Sequence, residues 1–193
     1  MKRYVWALAL ASVLGSCSDN GASQKLADDA EARVAAAVQR IMAQVPDKAA
    51  TTSYLSVVHT WYQSEVPNTI KLNPKTERIY QAHAEILQEV AANEPKLIEQ
   101  PAVTVNQAQG IRSGYKKLVD ESAANVGELT TLANGKTTMS EADQLRYVSE
   151  LADKQIKQLA LVKYFTKRTA AGLAQLQEQE TNKKLMRSTW GHD

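Results

Sequence analysis

The stretch SEADQLRYVSELADKQIKQLALVKYFTKRTAAGLAQLQEQETNKKLM, residues Ser140–Met186, sets the architecture of the chain because its helical pattern continues without a proline. Ser140 is followed three residues later by Asp143, which is typical of a helix start. At 1.5 Å per residue, we expect one helix of roughly 70 Å. Apolar or small residues recur at steps of three and four, as one face of a helix requires. The predicted buried face contains Leu145, Val148, Ala152, Ile156, Leu159, Val162, Phe165, Thr169, Leu173 and Leu176.

A second long helix is predicted over residues 104–133, directly before this stretch. Its seam follows alternating steps of three and four and carries polar residues in its middle. The seam contains Ala108, Ile111, Tyr115, Leu118, Ser122, Asn125, Leu129 and Leu132. The short connection NGKTTM, which begins with the helix-closing pair Asn134-Gly135, should make the two helices antiparallel. The sequence therefore predicts an all-α fold, an elongated antiparallel helical bundle with a long C-terminal helix.

Three further helices are predicted in the N-terminal half. The first two cover about 23–44 and 48–65, each followed by a proline. The third begins after Asn73, a good N-cap residue that is followed by a proline at the first helical position. A short segment, KLIEQ, lies between Pro95 and Pro101 and is predicted to be either one helical turn or a loop.

The N-terminus, MKRYVWALALASVLGSC, has the layout of a secretory signal peptide. Two basic residues precede an apolar run that is much shorter than the roughly 20 residues of a membrane-spanning helix. Its last four residues resemble a bacterial lipobox, in which the cysteine thiol is acylated and the chain is cut just before the cysteine. These residues are Leu14, Gly15, Ser16 and Cys17. The alternative is an ordinary signal peptide with a cysteine there by chance.

This interpretation divides the chain into a signal peptide (1–16), a flexible lipidated tether (17–22) and a single helical domain (23–193). The mature protein would be exported and would contact the membrane through its lipid, in the periplasm or at the cell surface. Ser18, rather than an aspartate, follows the cysteine and slightly favours the outer membrane. Cys17 is the only cysteine, so the domain must fold without a disulfide.

The charge balance gives no indication of nucleic-acid binding. The chain has 23 basic and 21 acidic residues, and removal of the signal peptide takes away Lys2 and Arg3. The mature chain is then formally neutral, whereas nucleic-acid binders usually have a basic patch and a raised isoelectric point.

No pattern of catalytic residues is found in the sequence. The three histidines, His59, His83 and His192, do not have the spacing of a helical metal site. Phosphate-binding loops, dinucleotide-binding motifs and nucleophile elbows are also missing. We therefore expect a protein that is not an enzyme, with no metal, no cofactor and no small-molecule substrate.

Aromatic residues are the candidates for binding a partner protein, since Trp and Tyr dominate interface hot spots. Trp61-Tyr62 and Tyr164-Phe165 could serve in this way, although packing in the core is the favoured interpretation for both pairs. Trp190 is predicted to lie in a short tail after the last helix. It could dock back on the bundle or contact another protein.

The C-terminal half, from Gly110 onward, resembles a known family. The similarity lies in Gly114-Tyr115, Lys117-Leu118, Glu121-Ser122, Met139-Ser140, Arg146, Val148, Leu161-Val162, Tyr164-Phe165-Thr166, Lys184 and Trp190-Gly191. In these residues it resembles the TraI-type conjugative transfer proteins of Bacteroidetes mobile elements, related to TrbJ-type and VirB-type pilus-associated components and distinct from the relaxase of the same name. The resemblance implies an exported, helical, non-enzymatic part of a type IV secretion apparatus, with other secretion or pilus proteins as partners.

Two functions follow as hypotheses. The first is a lipid-anchored envelope component of a conjugative type IV secretion system, with a structural or assembly role in the pilus or channel. Members of the family more often carry a plain signal peptide, so the lipobox favours a tethered scaffold over a pilus-tip subunit. The second is a periplasmic or surface binding lipoprotein, of an inhibitor, chaperone or entry-exclusion type, that acts independently of a transfer apparatus.

Overall fold

The structure is a computed structural model that describes residues 18–133 and 138–191, and within these ranges it contains helices and no strand. The all-α fold and the long C-terminal helix are confirmed. A single 3-10 turn, Met42–Gln44, follows α1. The helices are α1 (Ser18–Ile41), α2 (Lys48–Tyr62), α3 (Asn68–Lys71), α4 (Pro74–Ile98), α5 (Val105–Ala133) and α6 (Glu141–Trp190).

Side-chain caps fix where several helices begin. The Asn73 side chain accepts a hydrogen bond from the backbone N–H of Lys75 at 2.9 Å, with Pro74 at the first helical position, as predicted. Ser140 accepts from the backbone N–H of Asp143 at 3.2 Å, which confirms the predicted start of α6. The side chain of Asp47 caps α2 in the same way.

Helices α5 and α6 are antiparallel neighbours. The Tyr115 hydroxyl lies 2.8 Å from Thr166 Oγ1, and the Tyr147 hydroxyl donates to Glu128 Oε2 at 2.9 Å. The end of α5 therefore lies beside the start of α6, and the start of α5 lies beside the middle of α6. This arrangement confirms that the short connection between the two helices turns the chain back on itself.

One end of the bundle, here called the base, contains the start of both α1 and α6. The Asn68 amide donates to the backbone oxygen of Ser23 at 2.7 Å, and the neighbouring Thr69 hydroxyl bonds to Glu141. Helix α6 runs away from the base for 50 residues, which corresponds to about 75 Å.

The bundle has two apolar cores along its length. The lower core lies next to the base and contains Trp61, Tyr62 and Tyr80. All six helices contribute to it: α1, α2, α3, the first part of α4, the end of α5 and the start of α6. The upper core joins only the rest of α4, the start of α5 and the middle of α6, and it contains Ile86 and Tyr115. Fewer helices pack together as the distance from the base increases, so the molecule tapers.

Two sequence-based predictions on the helices were wrong, and one alternative that the sequence left open is now decided. Residues 18–22, predicted to be a flexible tether, form the first turns of α1. For KLIEQ, the helical alternative is confirmed over residues 96–98, because α4 continues through Pro95 to Ile98. Burial of Leu97 in the upper core offsets the hydrogen bond that a proline cannot donate. On α6, Ile156 is exposed and the adjacent Gln155 is buried, because a polar layer described below occupies that position.

Candidate functional site

The lipobox and the cysteine that it would modify lie outside the described residues. The same is true of Asn134-Gly135 and of His192. The first described residue, Ser18, is the one that follows Cys17 in the chain and begins α1 at the base.

Trp61 and Tyr62 are not available to a partner protein. Both lie in the lower core, with exposed fractions of 0% and 1%. Their proposed role as partner-binding anchors was wrong, and the packing interpretation is confirmed for this pair. The reason is that α2 lies against α1 and turns this aromatic pair toward the core.

Trp190 differs from the prediction in its position. It is the last residue of α6 rather than part of a tail. The helix ends at the next residue, Gly191, which adopts the left-handed conformation. The backbone N–H of Gly191 donates a hydrogen bond to the backbone oxygen of Arg187 at 3.1 Å. The Trp190 side chain is 72% exposed, so it does not dock back on the bundle. Contact with another protein, the other alternative, stays a prediction.

The far end of α6 is exposed on all sides. Every residue after Leu173 up to Trp190 is exposed, over about 25 Å of helix. Leu185 and Met186 are each 63% exposed in this segment. Met186 and Trp190 lie one turn apart, so their exposed side chains are neighbours on one side of α6.

The α5–α6 contact in the upper core depends on a close approach at Gly114. A Cβ atom at this position would lie 2.5 Å from Cζ of Phe165, so only glycine leaves room for the ring. The Phe165 ring also packs edge-on against Tyr115, with ring centroids 4.9 Å apart. The packing interpretation therefore holds for Phe165, whereas the adjacent Tyr164 is exposed.

Beside this contact a groove of about 390 Å³ runs between α5 and α6. We call it the α5–α6 groove. Leu161 and Tyr164, which are 50% and 65% exposed, form one wall with Phe165. Lys117 and Arg168 lie at its rim, together with Glu121. The groove thus combines exposed apolar surface with a mostly basic border.

The basic character of this region extends along α6. Between Asp153 and Glu178 the helix has no acidic residue and five basic ones. These are Lys154, Lys157, Lys163, Lys167 and Arg168. This basic run can be read from the sequence, but the net charge does not reveal it because basic and acidic residues nearly balance over the whole chain.

A buried polar layer lies between the two cores. His83 Nδ1 lies 2.6 Å from Ser122 Oγ, and Gln155 Nε2 donates to the same oxygen at 2.5 Å. Asn125 in turn donates to Gln155 Oε1 at 2.9 Å. Burial lowers the pKa of His83 to about 4, so its ring is neutral at pH 7. Ser122 is fully buried and no substrate can reach its hydroxyl, so the layer fixes how α4, α5 and α6 align.

The remaining histidine that the structure describes, His59, is exposed and lies 2.7 Å from the Glu31 carboxylate. Across residues 18–133 and 138–191 there is no group of three or more His, Cys, Asp or Glu side chains that could hold a metal ion. Over the same ranges, the search for a helix long and apolar enough to cross a membrane finds none.

No family model matches this chain, and no curated protein and no solved structure match it either. The resemblance of the C-terminal half to conjugative transfer proteins therefore remains a prediction.

Proposed function

We propose that this protein is a lipid-anchored envelope component of a conjugative type IV secretion system, with a structural or assembly role in the pilus or channel. The observation that carries the proposal is the set of exposed apolar side chains on α6, which lie far from the base, where α1 begins at Ser18. Such a surface suits a protein that binds other proteins while it is tethered to a membrane.

The direction of α6 supports this role. The hydrogen bond between Asn68 and Ser23, and that between Thr69 and Glu141, bring the start of α1 and the start of α6 together at the base. Helix α6 then carries the exposed side chains of Leu185, Met186 and Trp190 to its far end, about 75 Å from its start. A lipid on Cys17 would hold the base at the membrane, and the bundle would present α6 to partner subunits at a distance.

The positions of the family-like residues also fit the proposal. Gly114 and Tyr115 on α5 contact Phe165, and Tyr115 contacts Thr166. The four residues belong to two separate parts of the quoted similarity, and two of them, Gly114 and Phe165, also line the α5–α6 groove. They would hold the two long helices close enough together to form one binding surface.

A mating assay tests the proposal. The gene is deleted in a donor strain, and recipients that acquire the mobile element are counted after rescue with wild type or with Cys17→Ala. We expect transfer to collapse on deletion and to be restored by wild type but not by Cys17→Ala. If both proteins restore transfer, the protein has a role in transfer but does not need the lipid for it.

Unchanged transfer, in a donor whose other transfer genes are present and active, would contradict the proposal. The exposed surface of α6 would then belong to the alternative function, a binding lipoprotein that acts independently of the transfer apparatus.

A further inference from the structure

We infer that the α5–α6 groove binds an acidic amphipathic helix of a partner protein. The inference takes one point from the proposed function, namely that the protein acts by binding other proteins. It names the chemistry of the partner, which the sequence resemblance does not provide.

The apolar part of the groove has the spacing that a bound helix requires. Leu161 and Tyr164 lie one turn apart on α6, and the half-buried Phe165 ring lies beside them. Because α5 and α6 are antiparallel neighbours, the groove between them follows their axes. A third helix can place a row of apolar side chains into such a groove.

The charges around the groove specify an acidic partner. Lys157, Leu161, Tyr164 and Arg168 follow each other at steps of four, three and four, so they share one side of α6. In the part of the chain that the structure describes, neither Lys157 nor Arg168 has a carboxylate oxygen within 4.0 Å of its charged nitrogens, and the same holds for Lys117 across the groove.

The acidic residues on the same side are already engaged. Glu121 accepts a hydrogen bond from Gln158 Nε2 at 3.1 Å. Glu128 pairs with Lys154 at 3.5 Å and accepts from the Tyr147 hydroxyl. The Gln158 amide is neutral, so Glu121 keeps its negative charge, but Lys117, Arg168 and the nearby Lys157 outnumber it and the border of the groove is net positive. Carboxylates on both sides of an apolar helix face would complement them.

A concave groove with aromatic walls favours a protein helix over a lipid surface. Helices that lie on membranes present a convex apolar face to the lipid, whereas Phe165 lies between α5 and α6 beside Gly114. A second copy of this chain is also less suitable, because the exposed end of α6 places Lys183, Lys184 and Arg187 among its glutamates.

The test is photo-crosslinking of the full-length protein in its native cells. A photoreactive phenylalanine derivative replaces Tyr164, and in a matched control it replaces Ala170, which is exposed on another side of α6. Crosslinked peptides are identified by mass spectrometry. We expect the probe at 164, and not the probe at 170, to capture one protein segment with an apolar helical stripe flanked by Asp and Glu.

Charge reversal supplies the second arm. Combining Lys117→Glu with Arg168→Glu should lower the crosslinking yield at position 164 by about fivefold or more, because two charge pairs become repulsive. Lys183→Glu with Lys184→Glu makes the same charge change at the exposed end of α6 and should alter the yield by less than about twofold. Both variants change exposed side chains, and a thermal unfolding scan verifies that each remains folded.

Several outcomes would overturn the inference. The first is capture of a basic segment, of lipid or of a second copy of this chain. The second is the lack of any crosslinked product specific to position 164. The third is a crosslinking yield that does not change when the charges at 117 and 168 are reversed. Capture of an acidic helix from a protein outside the transfer apparatus would support the inference and, together with unchanged mating, would reject the proposed function. The two claims can therefore fail separately.

Discussion

His83 Nδ1 on α4 lies 2.6 Å from Ser122 Oγ on α5, and this contact is buried where the lower and upper cores meet. Gln155 on α6 donates to the same hydroxyl oxygen, so one serine connects three helices. A polar layer of this kind allows only one axial alignment of the helices, because any other alignment would leave buried polar atoms without partners.

The first prediction concerns the pH dependence of stability. Burial lowers the pKa of His83 to about 4 in the folded protein, from 6.5 in an exposed side chain. Below pH 6.5 the unfolded chain binds a proton that the folded chain does not. The free energy of unfolding should therefore fall as the pH decreases from 6.5 to 4, by roughly 3 kcal/mol in total, and show no further loss from this group below pH 4.

The matched control is His83→Asn, which keeps a polar atom near the Nδ1 position and does not titrate. The two proteins differ at this one position, so the difference between their pH profiles isolates His83. Urea unfolding at several pH values measures it. Identical pH profiles for the two proteins would show that His83 is not buried in its neutral form.

The second prediction concerns the hydroxyl at the centre of the polar layer. Ser122→Ala leaves both His83 and Gln155 without their partner in a buried site. The free energy of unfolding should drop by about 1–3 kcal/mol. Ser113→Ala makes the same change at an exposed position of α5 and should have an effect within about 0.5 kcal/mol. Equal effects in urea unfolding would argue against a stabilising layer.

The third prediction concerns the close contact between α5 and α6. Gly114→Ala places a methyl group against the Phe165 ring, and this overpacking should exceed the gain in helix propensity, so the free energy of unfolding should fall by about 0.5–2 kcal/mol. Gly127→Ala, on the same helix, meets nothing within 4 Å and should stabilise the protein by about 0.5–1 kcal/mol through helix propensity. If both variants are more stable than wild type, Gly114 and the Phe165 ring are not in close contact in the folded protein.

The fourth prediction separates the two tryptophans. Trp61→Ala should cost about 3–5 kcal/mol in the free energy of unfolding, because the ring is fully buried in the lower core. Trp190→Ala removes an exposed ring and should change the same quantity by less than about 0.5 kcal/mol. Thermal or urea unfolding of both variants provides the comparison, and a large loss for Trp190→Ala would mean that its ring packs against the bundle.

Helical periodicity predicted much of this fold, because steps of three and four report directly on which side of a helix is apolar. The N-cap residues Asn73 and Ser140 located the starts of α4 and α6. The periodicity failed at Ile156, where an apolar residue is exposed beside the buried Gln155. A pattern of apolar residues cannot identify a buried polar layer whose members come from three separate helices.

The candidate site was less predictable. Trp61 and Trp190 are equally suited to binding by residue type, yet only their tertiary environment makes the first buried and the second exposed. The α5–α6 groove needs the pairing of Gly114 with Phe165 across two helices, which sequence spacing does not give. The run of basic residues between Asp153 and Glu178 can be read from the sequence. Whether these cations are free to bind a ligand depends on which carboxylates lie near them in the folded chain.

The central claim is that Cys17 tethers this bundle to a membrane by its base, and intact-mass analysis of the protein from the membrane fraction tests it most directly. We expect a chain that begins at Cys17 and carries the added mass of a lipid, with Cys17→Ala giving no lipidated form. An unlipidated wild-type chain, cut at another position, would contradict the claim.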